Sequence, residues 1–199
     1  MLWDASTILG CAILGSDAEA GTVVDLLFDD STWRMRWIVV NSRFRLRHDV
    51  LLPISVLRRL DPLGRRLEVD LTTQQIWHGL RAERHLPISR EATSGDHDAH
   101  LRSVEAVIGH RAHLLDGVIG HIEDLLVEDA DWSIRHIRVD TCRWRPGDRV
   151  LLAPHSVRQI DWSGRLVRFD VSRRELEDDP MCRDIVWVKC RGDQAHADA

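Results

Sequence analysis

The residues with the clearest binding chemistry form an arginine-rich stretch that occurs twice in the chain. Its members are Arg43, Arg45 and Arg47 beside Phe44 and Leu46 in the first half, and Arg143, Trp144, Arg145 and Arg149 in the second half. Arginine binds phosphate and carboxylate through paired hydrogen bonds, and an adjacent aromatic ring can stack on a base. Two interpretations stay open: loops that contact RNA or a protein partner, or solvated hairpins whose arginine stems cover apolar surface.

Two pairs of opposite charges also recur in the chain. Asp25 and Arg36 lie on successive predicted strands in the first half, and Asp124 and Arg135 repeat them in the second half. Opposite charges on adjacent strands can pair across the ladder, and a buried pair is costly to break. We therefore expect each pair to close one rim of a β-structure, with a symmetric ligand or partner site as the alternative.

Two tryptophans recur as well, each shortly after an acidic turn. Trp33 occupies this place in the first half, and Trp132 occupies it in the second half. Tryptophan is favoured at the centres of protein interfaces, so a partner site is one interpretation. The recurrence favours the other interpretation, in which each ring caps a core or packs between the two halves.

Histidines raise the question of a metal site. His97 and His100 are three residues apart, and His110, His113 and His121 cluster in the second half. A zinc site needs three or four converging ligands, and the sequence offers pairs without an evident third ligand. The sequence therefore predicts surface histidines and no metal, with a metal site built from the second-half histidines as the alternative.

Catalytic groups are hard to assemble from this sequence. Cys11 and Ser55 are the candidate nucleophiles, but neither has a base and an orienting acid nearby. The chain has no glycine-rich phosphate loop, and its four cysteines form no Cys-x-x-Cys pair. We therefore expect a protein that is not an enzyme, with no catalytic residues and no cofactor.

The overall composition narrows the class of protein. The 199 residues include 27 basic and 32 acidic side chains, which give a net charge of −5. A strongly basic nucleic-acid binder is therefore excluded, although a local basic patch is not. No apolar run approaches the roughly 18–20 residues that cross a bilayer, and the N-terminus lacks the basic region of a secretory signal. We expect a cytoplasmic protein without a membrane span.

The chain repeats itself at a shift of 99 residues. Identities that recur in order include Gly10 and Gly109, Asp17 and Asp116, Gly21 and Gly120, Asp25-Leu26-Leu27 and Asp124-Leu125-Leu126, Ile38 and Ile137, and Val40 and Val139. Duplicated units are the simplest explanation of such an order. We predict a first segment at residues 1–76, a linker at 77–100, a second segment at 101–176 and a C-terminal tail at 177–199.

The hydrophobic pattern predicts that each segment is mainly β. In the first segment, strands are expected at residues 22–28, 33–40, 50–54 and 65–71, separated by turn residues. A short helix is expected after the last strand of each segment, with Thr72 and Ser172 as N-caps, and residues 185–188 are expected to add an edge strand. Because so small a segment buries little apolar surface, we expect the two to pack as a pseudo-twofold pair.

The order of these residues is characteristic in both segments. The first runs from Gly10 through Asp25-Leu26-Leu27 to Arg36-Trp37-Ile38-Val39-Val40-Asn41, and the second from Gly120 through Asp124 to Trp132 and Val150-Leu151-Leu152. This pattern resembles the PRC-barrel domain. That family includes the cytoplasmic part of the photosynthetic reaction-centre H subunit and the C-terminal domain of the ribosome maturation factor RimM. The chain is most similar to bacterial proteins with two tandem PRC-barrels.

The resemblance implies a fold of two small tandem β-barrels with a short helix after each. It also implies a non-enzymatic adaptor that binds another macromolecule, because the family shares no set of catalytic residues. An RNA-binding or ribosome-assembly role through the arginine-rich stretches is the alternative. A homodimer is compatible with either role, and the identity of the partner stays open.

Overall fold

The computed structural model describes residues 1–41, 49–61, 63–78, 80–81, 100–178 and 185–189. Strands dominate these residues and the helices among them are short, so the predicted mainly β fold is confirmed. The strands form two sheets, each with seven strands in series and an eighth strand paired off that series.

The elements follow one another in the same order in both halves of the chain. Residues 1–81 form β1 (Leu2–Asp4), α1 (Ala5–Ile8), β2 (Ala12–Leu14), β3 (Glu19–Asp29), β4 (Arg34–Asn41), β5 (Val50–Pro53), β6 (Leu57–Asp61), β7 (Arg66–Val69), α2 (Thr73–Trp77) and β8 (Leu80–Arg81). Residues 101–189 form β9 (Leu101–Ser103), α3 (Val104–Val107), β10 (Arg111–Leu114), β11 (Gly117–Glu128), β12 (Ile134–Asp140), β13 (Asp148–Leu152), β14 (Val157–Asp161), β15 (Leu166–Phe169), α4 (Arg173–Asp178) and β16 (Ile185–Lys189).

The two sheets share one strand order. The first sheet runs β6-β7-β2-β3-β4-β5-β8, and the second runs β14-β15-β10-β11-β12-β13-β16. One parallel pair stands at the same place in each series, β2 with β7 and β10 with β15. Strands that correspond in the sequence thus occupy corresponding positions, as a duplicated sequence predicts.

The longest strand of the first segment shows why these residues form a sheet core. In β3, Leu26, Leu27 and Phe28 are buried in succession, so both faces of the strand are covered at this point. A register shift between Val23 and Asp25 leaves Val24 at a bulge, where it is partly exposed. The bulge re-aims the residue that follows it, which is the recurrent Asp25.

The first strand of each segment joins the sheet of the other segment. β1 pairs antiparallel with β11, with Leu2 opposite Glu128, and β9 pairs antiparallel with β3, with Leu101 opposite Asp29. The sequence pattern predicted neither of these three-residue strands, because they are too short to show a period. The exchange is reciprocal, so each sheet needs an element from the other segment.

Local capping explains the two helices that follow the sheets. Thr72 Oγ1 accepts from the backbone N–H of Gln75 at 3.2 Å, while the Gln75 side chain accepts from the N–H of Thr72 at 2.8 Å. Ser172 and Glu175 make the same reciprocal pair, with the N–H of Ser172 donating to Glu175 at 2.7 Å. This arrangement is a capping box. The predicted helix starts at Thr72 and Ser172 are confirmed.

Contacts divide the chain into two compact units. The first unit contains Met1–Ile108 and Asp124–His136, and the second contains Gly109–Glu123 and the residues from Ile137 onward. The exchanged strands β1 and β9 and the residues that they pair with belong to the first unit. Among the residues that the structure describes, none of the helices has both the length and the apolar character that a membrane crossing requires.

Candidate functional site

The recurrent aspartates lie where the exchanged elements meet the sheets, with Asp124 buried and Asp25 half-buried. Asp25 Oδ2 accepts from the hydroxyl of Ser103 at 2.5 Å, and its Oδ1 accepts from the backbone N–H of Glu105 at 3.0 Å. Asp124 accepts from the hydroxyl of Ser6, and from the backbone N–H of Ser6 at 3.1 Å. Each carboxylate therefore holds the start of the helix that follows the exchanged strand.

The expected pairs Asp25–Arg36 and Asp124–Arg135 are wrong. Arg36 Nη1 instead lies 3.2 Å from Asp29 Oδ2, and Arg135 Nε lies 2.6 Å from Glu128 Oε2. Both arginines thus reach the last residue of the preceding long strand. For Asp25, the bulge in β3 and the pairing of β9 with β3 explain the difference, because the carboxylate meets Ser103 of the exchanged strand. For Asp124, the contact with Ser6 of α1 takes the place of the expected arginine.

Burial raises the pKa of the Asp25 and Asp124 carboxyls above the ordinary aspartate value. Hydrogen bonds from the serine hydroxyls and backbone N–H groups act in the opposite direction, because they stabilise the charged form. The burial effect is the larger for both carboxyls. The two carboxyls therefore have a structural role, and burial disfavours their charged forms.

The recurrent tryptophans take part in the same reciprocal arrangement. Trp33 and Trp132 adopt left-handed backbone conformations, with φ of 54° and 58°. The carbonyl of Trp33 accepts from the N–H of Ile134 at 2.8 Å, and the carbonyl of Trp132 accepts from the N–H of Met35 at 2.8 Å. The Trp33 ring stacks on Phe28 with 5.5 Å between ring centroids. Backbone strain of this kind is stable only where the surrounding contacts impose it.

The second arginine-rich stretch forms a loop anchored by a buried threonine. Thr141 is fully buried, and its hydroxyl lies within hydrogen-bond distance of the carbonyls of Arg145 at 2.9 Å and Asp148 at 2.8 Å. The backbone N–H of Arg143 donates to the carbonyl of Ile119 at 3.2 Å. These contacts hold the loop of residues 141–148, here called the 141–148 loop, against β11. The side chains of Arg143 and Arg145 are exposed on it.

The aromatic ring of this loop lies near two guanidinium groups. The Arg145 and Arg173 guanidinium carbons are 5.8 Å and 5.9 Å from the centroid of the Trp144 ring. Both distances are within the range of cation–π attraction. Arg173 comes from α4, so the capped helix after the second sheet helps to position the ring.

Arg149 stands apart from the other members of the predicted partner site. Its Nε lies 2.6 Å and 2.5 Å from the two carboxylate oxygens of Glu123, and Arg138 Nε lies 2.8 Å from Glu123 Oε2. The two guanidinium groups help to hold the pKa of Glu123 below its usual value, against burial, which alone would raise it. Arg149 is committed to this pair. The first arginine-rich stretch, with Arg43, Arg45 and Arg47, lies outside the described residues.

Within the part of the chain that the structure describes, no two of the candidate histidines belong to one group of three or more potential metal ligands. His110 is buried against Trp162, with 5.3 Å between ring centroids, and burial lowers the pKa of His110 to about 4. His100 Nδ1 lies 2.8 Å from Asp30, and His97 lies outside the described residues. The candidate nucleophile Cys11 is fully buried, and burial raises the pKa of its thiol, which opposes nucleophilic chemistry.

One histidine does meet two groups that the sequence patterns did not single out. His121 Nε2 lies 3.7 Å from Asp140 Oδ2, and its Nδ1 lies 3.7 Å from the sulfur of Cys142. Asp140 and Cys142 flank the anchored Thr141. They come about twenty residues after His121, so only the pairing of β11 with β12 brings the three together.

The first segment carries the family signal. Residues 4–76 match the PRC-barrel domain. The PRC-barrel match runs from the end of β1 to α2 and includes Asp25, Trp33 and Arg36. A comparison with curated proteins finds no match to the chain. The 141–148 loop and the group around His121 lie outside the PRC-barrel match.

Proposed function

We propose that this chain is a non-enzymatic interaction protein in which residues 101–176 form a second PRC-barrel domain beside the matched one. Its task is to hold a macromolecular partner in the cytoplasm, and the 141–148 loop supplies the contact. The identical strand order of the two sheets supports the second domain. The reciprocal clasps at Asp25 and Asp124 support a shared architecture for the two segments.

The observation that carries the proposed contact is the presentation of Arg143 and Arg145. Both side chains are exposed, while the buried Thr141 and the Arg143–Ile119 backbone bond hold the loop that bears them. Trp144 between them is half-buried. A preorganised loop loses little conformational entropy on binding, and arginine and tryptophan are the side chains that dominate protein interfaces.

A protein with acidic side chains is the partner that this surface fits best. Arg149, which the sequence placed in the same site, has its charge met by Glu123 at 2.6 Å. The chain as a whole carries a net charge of −5, which opposes RNA, with its charge on every phosphate, more than a protein that offers a few carboxylates. Arg145 Nε lies 3.8 Å from Asp148 Oδ2, but this contact is long and the Arg145 side chain is exposed, so Arg143 and Arg145 can both form bidentate pairs with carboxylates of a partner.

RNA is the second candidate, and one specific observation favours it. The partly exposed Trp144 ring lies between exposed arginines, an arrangement that suits base stacking beside phosphate contacts. An RNA-binding or ribosome-assembly role would make binding fall steeply with salt, because each neutralised phosphate releases counterions. A protein partner held by two ion pairs would show a weaker salt dependence.

Crosslinked capture of the full chain from its native cells tests the proposal. The double variant R143E/R145E reverses the exposed charges of the loop, and R66E/R158E makes the same change in charge at two exposed strand positions. We expect one protein enriched by the wild-type chain and by R66E/R158E, resistant to nuclease and lost with R143E/R145E.

Other outcomes separate the alternatives. RNA or ribosomal subunits that disappear with R143E/R145E would establish the RNA role instead. Equal capture by both double variants would show that the loop is not the contact. An empty eluate from the wild-type chain, repeated with purified candidate partners, would overturn the interaction role itself.

A further inference from the structure

The side chains of His121, Asp140 and Cys142 form a compact donor group on the second unit. One ligand atom from each residue lies within 4.8 Å of the other two. Cys142 Sγ lies 3.7 Å from His121 Nδ1, and Asp140 Oδ2 lies 3.7 Å from His121 Nε2. Two ligand atoms on a tetrahedral zinc ion stand roughly 3.3–3.7 Å apart, given its bond lengths of about 2.0–2.3 Å. Because the two approaches reach different ring nitrogens, the imidazole must rotate to bring one nitrogen toward an ion shared with Asp140 and Cys142, and the three ligand atoms already lie within 4.8 Å of one another.

The backbone around this group is firmly placed. A Cβ on Gly120 would lie 1.7 Å from the carbonyl oxygen of Asp140, so the end of β12 approaches β11 as closely as only glycine allows. The buried Thr141 hydroxyl is held by two carbonyls of the following loop. Asp140 ends β12 and Cys142 lies in the turn that follows, and each has an atom 3.7 Å from a ring nitrogen of His121. The two donors are thus presented together toward His121.

We propose that His121, Asp140 and Cys142 bind a divalent transition metal of the zinc class. A thiolate, an imidazole and a carboxylate are ligands that suit Zn²⁺ and Co²⁺, whereas Mg²⁺ and Ca²⁺ take oxygen ligands. Three protein ligands leave a fourth position open, and the exposed Cys142 together with His121, whose side chain is 43% exposed, puts that position at the solvent. On binding, the Cys142 thiol gives its proton to solvent and the sulfur bonds to the ion.

Arg149 is the neighbouring charge that competes with an ion for Asp140, because it attracts that carboxylate. Arg149 is paired in register with Asp140, but its Nε is held by both oxygens of Glu123. The first segment provides an internal contrast at the corresponding positions. Thr22 and Asn41, which are paired in register there, replace His121 and Asp140, and Arg43 replaces Cys142. The proposed site is therefore a feature of the second segment alone and does not depend on a property common to both sheets.

Cobalt titration of the full chain without a histidine tag tests the site. We expect one equivalent of Co²⁺ to produce the strong visible bands of tetrahedral coordination and a near-ultraviolet thiolate charge-transfer band, both removed by Zn²⁺. C142S should abolish the thiolate band. The exchanges H121T and D140N, which install the residues of the first segment, should weaken Co²⁺ binding by at least about tenfold, since even the loss of an outer partner costs roughly 10–100-fold.

The controls keep the result specific. His155 is exposed on the same unit, and H155Q should bind Co²⁺ as the wild-type chain does. D140N conserves the shape of the side chain, so it tests the ligand even if another variant fails to fold. The proposal is overturned if the wild-type chain binds Co²⁺ only in large excess, if its spectrum lacks the thiolate band, or if C142S binds as tightly as wild type.

Discussion

Ser103 and Asp25 are 78 residues apart in the chain, yet the serine hydroxyl donates to the aspartate Oδ2 at 2.5 Å. Ser103 is also the N-cap of α3, where its Oγ accepts from the N–H of Ala106 at 2.9 Å. One side chain thus caps a helix and closes a clasp. Asp124 and Ser6 form the corresponding clasp at α1. Each exchanged strand is therefore held by one carboxylate at the end where its short helix begins.

The double variant D25N/D124N should change how stability depends on pH. Burial raises the pKa of both carboxyls in the folded state, so folding favours their protonated forms. Their contribution to stability is fully present below the unfolded pKa near 3.8 and is lost as pH rises through the folded pKa. We expect the free energy of unfolding of the wild type, minus that of the variant, to fall as pH rises from about 4 toward neutrality.

Urea unfolding at a series of pH values measures this difference. The exposed-site variant D70N is the matched control, because Asp70 is exposed and pairs only at the surface with Arg58. If the free energy of unfolding changes with pH in the same way for the wild type and D25N/D124N, the two carboxyls ionise as readily in the folded chain as in the unfolded one.

The variant H110F should lack a loss of stability that the wild-type chain shows in mildly acidic solution. His110 is 3% exposed, and its folded pKa of about 4 lies well below the ordinary 6.5. The unfolded chain therefore binds a proton that the folded chain rejects, and stability falls as pH drops from about 6.5 to 4. The full effect of such a shift is about 3 kcal/mol. Phenylalanine keeps the aromatic contact with Trp162 and cannot be protonated.

Thermal unfolding between pH 7 and pH 4 provides the check. The wild-type chain should lose more stability than H110F over this interval, while H155Q, at an exposed histidine, should follow the wild type. Identical losses for the wild type and H110F would mean that His110 is protonated in the folded state.

The variant G120A should be far more damaging than G147A. A Cβ at Gly120 would meet the Asp140 carbonyl oxygen at 1.7 Å and the Thr141 Cα at 3.2 Å, both of them backbone atoms. The strands must separate to make room, and we expect a loss of about 3 kcal/mol or more in the free energy of unfolding. Gly147 faces open space and has only a left-handed φ of 88°, so alanine there should cost about 1 kcal/mol. Chemical denaturation of the three proteins compares these values.

The variant E123Q should destabilise the second unit at neutral pH by about 1–2 kcal/mol, because two partly buried guanidinium groups lose their counter-charge. The folded pKa of Glu123 lies below the usual value. Its contribution is therefore present above pH 4.5 and is lost as pH falls through the folded pKa, so the variant and the wild type should converge in acid. E175Q removes a charge from the exposed capping box and serves as the control, with a smaller expected loss in the free energy of unfolding. A constant difference at all pH values would contradict this account.

Much of the local structure follows from the sequence. The predicted strand at residues 33–40 is β4 (Arg34–Asn41), and the one at 50–54 is β5 (Val50–Pro53). The edge strand expected at residues 185–188 is β16, which pairs with β13. These predictions succeed because hydrophobic period and capping residues act over a few neighbours.

The sequence pattern missed the partners of its most recurrent residues. Asp25 was expected to pair with Arg36 on the next strand, but Arg36 contacts Asp29 instead. The bulge at Val24 and the pairing of β9 with β3 decide this. Neither feature can be recognised from the residue pattern of one segment. Period and spacing describe one chain segment, whereas a clasp depends on which distant strand becomes its neighbour.

The sequence by itself determined the β character, the two capped helices and the repeat at a shift of 99 residues, including the glycines and tryptophans that recur in it. Those features depend on residues that are close together in the chain or on direct comparison of its two halves. Only the tertiary structure decided that Ser103 donates to Asp25, that Arg149 pairs with Glu123, and that Cys142 lies close to His121. Such meetings arise from strand order and register, which depend on the burial of the whole chain.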